Sequence, residues 1–259
     1  MSLPFLSAEQ IEAFIIVLLR VSAIVVTIPV ISDTSVPARV KAALSVLITL
    51  IIFPVVLPKI SQPANDHALI LIYRMAGEVM IGLIIGFVAR MIIVAIRMAG
   101  DIIGFQIGLS IANVIDPMTS EQVSIISELQ YLIALLVFLA VDAHHIFFSA
   151  IIQSYSILNP GTFHFSGQLI QFVFDLSKEM FIIAVKLAAP LMAVMLLTNV
   201  GLGIVARTVP QINVFIVGFP LQIAVGLIFI GLTAPLFVRL TQSIFLNFET
   251  TLVTLLRLM

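Results

Sequence analysis

Charge is what this chain has least of. Of its 259 residues only 10% are Asp, Glu, Lys or Arg while 61% are hydrophobic, and the mean hydropathy is +1.26. Soluble globular domains carry about 25% charged residues, so no fully solvated surface can be built from this composition. A soluble enzyme, a disordered chain and a free nucleic-acid binder are excluded on that ground. The chain belongs in or against a membrane. Cysteine is absent, which removes disulfides, thiolate metal sites and a cysteine nucleophile. Tryptophan is absent too, and tyrosine is confined to Tyr73, Tyr131 and Tyr155, whereas Phe occurs 19 times. Bundles standing in lipid carry Trp and Tyr at both interfaces, so the missing belt fits a protein sheathed by other proteins. A basic excess is also lacking. Twelve Lys and Arg stand against 13 Asp and Glu, a net charge of -1, and phosphate binding requires a basic footprint. Nucleic acid is not an expected partner.

What is present is a series of long apolar runs. The N-terminus carries Glu9 and no Lys or Arg before the first of them, unlike the basic start of a signal peptide. Six segments approach or exceed the ~20 residues that cross a hydrocarbon core. They are Ile11 to Ile28, Val40 to Leu57, Ala68 to Ala99, Ile125 to Ile152, Leu169 to Ala206 and Val209 to Leu246. The fifth holds Pro190 and the sixth Pro220 and Pro235, which predicts broken or bent helices there. Pro29, Pro37, Pro54, Pro58 and Pro63 punctuate the first two connections, and Asn159-Pro160-Gly161 predicts a turn. Thr119 with Gln122 has the form of a capping box ahead of the fourth segment. Strand alternation is absent, whereas a transmembrane barrel needs repeated ten-residue alternation, so the predicted class is all-α. Lys and Arg fall on both sides of the segments, and the positive-inside rule assigns no orientation.

Several charges interrupt the runs. Arg20 lies mid-segment in the first, Arg74, Glu78 and Arg90 in the third, Asp142 in the fourth, and Asp175, Lys178, Glu179 and Lys186 in the fifth. Each such group at the centre of a lipid-facing helix costs ~2.5 to 3.5 kcal/mol or more. These groups must therefore face protein or water. Arg74 with Glu78 and Arg97 with Asp101 are spaced i,i+4, and Asp175 with Lys178 i,i+3, so some of these share a helix face and can pair locally. Arg20 and Lys186 have no local acid and need a partner from elsewhere in the chain or from another subunit; for Arg74 and Lys186 the open alternative is that they snorkel to the interface.

Small residues add a packing signal. Gly82 and Gly86 form one small-xxx-small pair, and Gly100, Gly104 and Gly108 form two more, a spacing that lets backbones approach closely. Arg74, Glu78, Gly82, Gly86 and Arg90 make one stripe at steps of four that winds toward a neighbouring helix. From Ile102 to Ile115 the chain reads IIGFQIGLSIANVI and then meets Asp116-Pro117, where Asp is pushed out of the α region. Two readings stay open for this stretch: ordinary packing at the end of the third helix, or an apolar, glycine-hinged segment that fills a pore. Chemistry-bearing constellations are thin. Asp142, His144 and His145 form the only histidine cluster; adjacent histidines on a helix diverge by about 100°, unlike an HExxH zinc pair, so capping or local hydrogen bonding is expected of them and no metal site. P-loop, GxSxG and GxGxxG motifs are missing. A self-sufficient small-solute secondary transporter or channel is the competing reading, because broken helices with ionisable residues nearby resemble a transporter site; an inverted repeat, which it requires, is not visible. An intramembrane enzyme is weaker still, since only residues 142 to 145 converge.

Along almost its whole length the chain resembles the FliR/SctT family of type III secretion export-apparatus proteins. The matching features are Arg20, Pro29, VPARVK from Val36 to Lys41, GEVMIGLIIGF from Gly77 to Phe87, AGDIIGFQIGLS from Ala99 to Ser110 and Asp116-Pro117. His144-His145, Ser154 and Ala189-Pro190 follow, and the most specific block is GLGIVARTVPQINVFIVGFP, Gly201 to Pro220. The resemblance implies a core subunit of a flagellar protein export gate in the bacterial inner membrane, within the basal body. It implies FliP-like and FliQ-like subunits and a FlhB-like subunit as partners, membrane lipid around them, and unfolded flagellar export substrates in transit. No cofactor, metal or catalytic residue is implied. The implied fold is tilted helical hairpins packed in a helical hetero-oligomer, with residues 1–165 a FliP-like part and 166–259 a FliQ-like hairpin. The resemblance also implies a plug loop at about 102–118, assigned to Gly104, Phe105, Gln106, Ile107, Gly108, Leu109, Ser110, Ile111, Asn113 and Val114. Arg20, Glu78, Gly82, Gly86, Arg90, Lys186, Arg207, Pro210, Gln211, Asn213 and Phe215 are assigned to subunit or inter-hairpin contacts. For Arg207, Gln211 and Asn213 the open alternative is a helix break at Pro210 whose freed carbonyls they satisfy.

Overall fold

The structure, a computed structural model, describes residues 8–28, 31–32, 36–60, 68–109, 124–209, 211 and 213–259. Among the described residues there are seven α-helices and no strand: α1 (Ala8–Thr27), α2 (Ala38–Val56, continued by a 3-10 turn at Leu57–Lys59), α3 (Ala68–Ile107), α4 (Ile125–Ala140), α5 (Ala143–Ile157), α6 (Gly167–Thr208) and α7 (Val214–Leu258). The all-α expectation holds because long apolar runs can satisfy their backbone groups only within themselves.

The ends follow local chemistry. Pro37, whose fixed φ suits an N-cap lacking a donor requirement, precedes α2, and Pro58 opens the 3-10 turn after it. Gly108 takes φ 91° and ends α3, its N–H donating to the Phe105 carbonyl at 3.1 Å; a glycine enters the left-handed region without the Cβ clash that other residues meet. The turn at Asn159-Pro160-Gly161 forms as the sequence predicts, with Gly161 at φ 85° and the Thr162 N–H bonded to the Asn159 carbonyl at 3.1 Å. Ahead of α4 the N-cap is Ser124, whose hydroxyl accepts from the Ser127 N–H at 3.5 Å. The capping box read at Thr119 and Gln122 lies outside the described residues.

The break in the long segments is not at the prolines. Helix α6 runs through Pro190, and α7 through Pro220 and Pro235, each as one helix. Instead the fourth segment divides into α4 and α5, bent by 65°. Asp142 stands at the junction with φ 54°, the one non-glycine residue at positive φ among those described.

Five helices are long and apolar enough to cross a membrane, or six spans if α4 and α5 count as one. Helices α3, α6 and α7 have 40, 42 and 45 residues, which at 1.5 Å per residue is about 60 to 70 Å. A hydrocarbon core is about 30 Å thick, so none of the three can stand upright inside it.

The chain forms two compact units. The first comprises Met1–Met91, Asp142–Leu176 and Leu246–Met259; the second comprises Ile92–Val141 and Ser177–Phe245. In the first, α1 packs on α2, with Phe14 edge-on to Phe53 at 5.4 Å. The chain end is tied in by the His164 N–H and the Ser166 hydroxyl, which donate to the carbonyls of Met259 and Leu258, each at 3.0 Å. In the second, Phe138 packs edge-on to Phe245 at 5.3 Å, and a cavity of about 30 Å³ is lined by residues that include Ile103, Gln130, Pro190, Thr233 and Phe237.

Candidate functional site

In the first unit, the predicted stripe on α3 lies against α1. Glu78, Gly82 and Gly86 of α3 meet Arg20, Ala23 and Thr27 of α1 in that order. A Cβ on Gly82 would stand 2.6 Å from the Ala23 Cβ and 2.8 Å from the Arg20 carbonyl oxygen, and one on Gly86 would collide with Thr27. Only glycine lets the two backbones approach this closely. Arg90, at the end of the stripe, is exposed.

At the head of this seam lies an ion pair with no solvent exposure on either side chain. Arg20 Nε and Nη2 donate to the two carboxylate oxygens of Glu78 at 2.6 and 3.0 Å. Nη1 donates to the Ser154 hydroxyl at 2.9 Å, and Nη2 also reaches the Leu158 carbonyl at 3.4 Å. The guanidinium lies 4.0 Å from the centre of the Tyr155 ring, whose hydroxyl donates to the Val17 carbonyl at 3.3 Å. One charged pair therefore ties α1, α3 and α5 together. Buried charges are tolerable only when paired and hydrogen-bonded, and here the donors of Arg20 converge on three acceptor groups while its face is covered by an aromatic ring.

The partner of Arg20 thus comes from the same chain, 58 residues away. The i,i+4 spacing of Arg74 and Glu78 permits a local pair, and the structure gives Glu78 a partner on another helix as well. The Glu78 carboxylate is held by Arg20, and the Arg74 side chain lies over Gly161. A local helix pair is worth only about 0.2 to 0.5 kcal/mol, less than a desolvated bidentate pair with its hydrogen-bonded surround. Likewise Arg97 meets Glu128 of α4 at 3.6 Å and lies 4.0 Å over the Tyr131 ring, rather than serving Asp101. Sequence reasoning missed Tyr155. Its being one of three tyrosines in a chain of 259 residues is the signal that was available.

In the second unit, the stretch assigned to the plug divides. Gly104, Phe105, Gln106 and Ile107 form the last turn of α3, and Gly108 and Leu109 the turn that leaves it. Ser110, Ile111, Asn113 and Val114 lie outside the described residues. Ile103 and Ile107 are buried, and Ile107 occupies the space where Gly226 of α7 has no side chain. Phe105, between them in sequence, is 64% exposed. The last turn is thus anchored on one face and presents an uncovered aromatic ring on the other.

Of the residues assigned to subunit or inter-hairpin contacts, Arg20, Glu78, Gly82 and Gly86 come together. Lys186, Arg207, Gln211 and Asn213 are exposed on the chain. Pro210 lies outside the described residues, and Phe215 belongs to α7. Asp142 holds the N-cap position of α5, but its side chain makes no capping hydrogen bond, which removes capping from the two roles read from the sequence. The apolar windows of α6 and α7 are only 28% and 11% buried, against 44% and 50% for α1 and α3. Leu196, Leu197, Ile216 and Leu232 are among the uncovered side chains, so most of the apolar surface of these two helices is left for lipid or protein.

The model of a known family, described as bacterial export proteins, family 1, matches residues 11–248. The flagellar biosynthetic protein FliR of Bacillus subtilis (strain 168) is 37% identical over 242 residues, 92% of each chain. FliR of Escherichia coli (strain K12) is 32% identical over 231 residues, 88% of this chain and 86% of its own. FliR of Caulobacter vibrioides is 31% identical over 229 residues, 88% of this chain and 91% of its own. The chain belongs to this family of bacterial export proteins.

Proposed function

We propose that this chain is a core subunit of the flagellar type III protein export gate in the bacterial inner membrane, forming part of the pore for unfolded export substrates and supplying an apolar plug that seals it. The observation that carries this reading is the match to bacterial export proteins over residues 11–248. Two features of the molecule support it. Helices of about 60 to 70 Å with mostly uncovered apolar faces suit a subunit wrapped by others, because lipid alone covers only about 30 Å. The end of α3 places the 64% exposed Phe105 beside the turn at Gly108, and an apolar constriction closes a channel by excluding water.

The partners in this reading are FliP-like and FliQ-like subunits, with a FlhB-like subunit attached. Residues 1–165 take the FliP-like place and residues 166–259 the FliQ-like hairpin. The exposed Lys186, Arg207, Gln211 and Asn213 supply contacts to those neighbours. The chain performs no bond chemistry; it is a conduit element.

The test is a deletion of Leu109 to Val114, which leaves α3 and the anchored Ile107 in place, combined with Phe105→Gly. The assembled complex, purified in mild detergent and weighed by native mass measurement, should keep its FliP-like and FliQ-like subunits. Its ion conductance in planar bilayers should rise. Unchanged conductance refutes the plug assignment, and purification of the chain without those partners refutes the gate reading.

A further inference from the structure

Asp142, His144 and His145 stand apart from the remaining histidines of the chain, and the conduit role makes no use of them. They sit where the fourth apolar segment turns by 65°. The Asp142 Oδ1 atom is 3.9 Å from His144 Nε2 and 4.0 Å from His145 Nδ1. The two imidazole rings lie 4.2 Å apart between centres. One ligand atom from each of the three residues falls within 4.8 Å of the others. Adjacent histidines within a regular helix diverge, but these two occupy the first turn of α5, immediately after a residue at φ 54°.

From this geometry we propose that Asp142, His144 and His145 form a binding site for a divalent first-row transition ion such as zinc. Two imidazoles and one carboxylate suit that class and disfavour calcium and magnesium, which take oxygen ligands. Three protein ligands with open positions for water match the pattern of zinc sites built from two histidines and one carboxylate. Bonds of about 2.0 to 2.2 Å place ligand atoms about 3.4 Å apart on a tetrahedral ion. The distances of 3.9 and 4.0 Å, within a cluster whose ligand atoms all lie within 4.8 Å of one another, exceed that value modestly, and Asp142 and His145 are 72% and 69% exposed, so their side chains have room to rotate inward.

Two further points bear on the charge balance. The Asp142 carboxylate is not consumed in capping α5, so its negative charge is available to the ion. A helix N-terminus disfavours a cation only modestly and within its first turn, which one ligating carboxylate outweighs. The consequence for the fold is local. An ion held by residues 142, 144 and 145 fixes the left-handed residue at the bend, so occupancy stiffens the junction of α4 and α5.

The test uses the full chain in detergent, stripped with a chelator and titrated with Zn²⁺ by calorimetry and with Co²⁺ by visible absorption. One ion per chain is expected, with visible cobalt absorption that saturates at that stoichiometry. His145→Ala should weaken binding more than about tenfold, the scale on which a lost ligand or its orienting partner acts. Asp142→Asn should do the same while keeping the bend, since Asn tolerates positive φ. Circular dichroism of each variant establishes that it is folded, and Arg239→Gln, at an exposed position, serves as a control that leaves binding unchanged. Absence of stoichiometric binding to the wild-type chain, or equal binding by folded Asp142→Asn and His145→Ala variants, overturns the proposal.

Discussion

Glu78→Gln keeps the shape of the side chain and removes its charge, leaving the Arg20 guanidinium buried without a counter-ion. In the native chain Arg20 and Glu78 have no solvent exposure and share bonds of 2.6 and 3.0 Å. The remaining acceptors, Ser154 at 2.9 Å and the Leu158 carbonyl at 3.4 Å, are neutral. An uncompensated buried charge costs about 3 to 5 kcal/mol, and an amide oxygen still accepting one bond returns about 1 kcal/mol of that. The expected net loss is therefore about 2 to 4 kcal/mol. At about 1.4 kcal/mol per factor of ten, the unfolding equilibrium shifts by between one and three orders of magnitude. The measurement is reversible unfolding of the detergent-solubilised chain by added SDS, followed by far-ultraviolet circular dichroism. Arg20→Met should cost a comparable amount by stranding the carboxylate. The double variant Arg20→Met, Glu78→Met should lie within about 1.5 kcal/mol of wild type, because replacing both charges with apolar groups removes the desolvation penalty together with the attraction. If Glu78→Gln loses less than about 1 kcal/mol, or if the double variant is no better than the singles added together, the pair is not the buried lock described above.

Two substitutions probe the packing by a different route. Gly226→Ala would place a Cβ 2.5 to 3.0 Å from three side-chain atoms of Ile107 and should lower stability by about 1 to 3 kcal/mol, with recovery in the double variant Gly226→Ala, Ile107→Ala; thermal melts of the three proteins decide it, and a melting temperature unmoved by Gly226→Ala removes the contact from consideration. Gly161→Ala adds a side chain at φ 85° and 2.7 Å from the Arg74 side chain; the left-handed conformation alone costs about 1 to 2 kcal/mol, so a loss of at least that size is expected in the same melts. Gly201→Ala, in the interior of α6 where a Cβ meets nothing within 4 Å in the chain, is the comparison that should lose no stability and gain up to about 1 kcal/mol of helix propensity.

The sequence by itself determined the class of structure and the place of the helices. Five or six spans follow from apolar runs that have no alternative to helix in lipid, and the predicted starts of the second and fifth segments fall within two residues of those observed, whereas the helices of the third and sixth run on past their predicted ends to Ile107 and Leu258. It also required that Arg20 face something other than lipid, since the cost of a charge in hydrocarbon does not depend on the fold. The glycine stripe at positions 82 and 86 was legible for the same reason: spacing on a helix is fixed by its pitch. Tertiary structure alone decided which partner each charge takes. Glu78 is four residues from Arg74 and 58 from Arg20, and no local rule can rank a pair that exists only once α1 crosses α3 and the site is dry. It decided that the fourth segment bends at Asp142 while the helices carrying Pro190, Pro220 and Pro235 continue, because a proline removes one hydrogen bond that neighbouring packing can offset, whereas a residue at φ 54° turns the chain. And it brought Asp142, His144 and His145 within ligand distance, because Asp142 stands outside the helix at φ 54° and its side chain reaches both rings of the first turn.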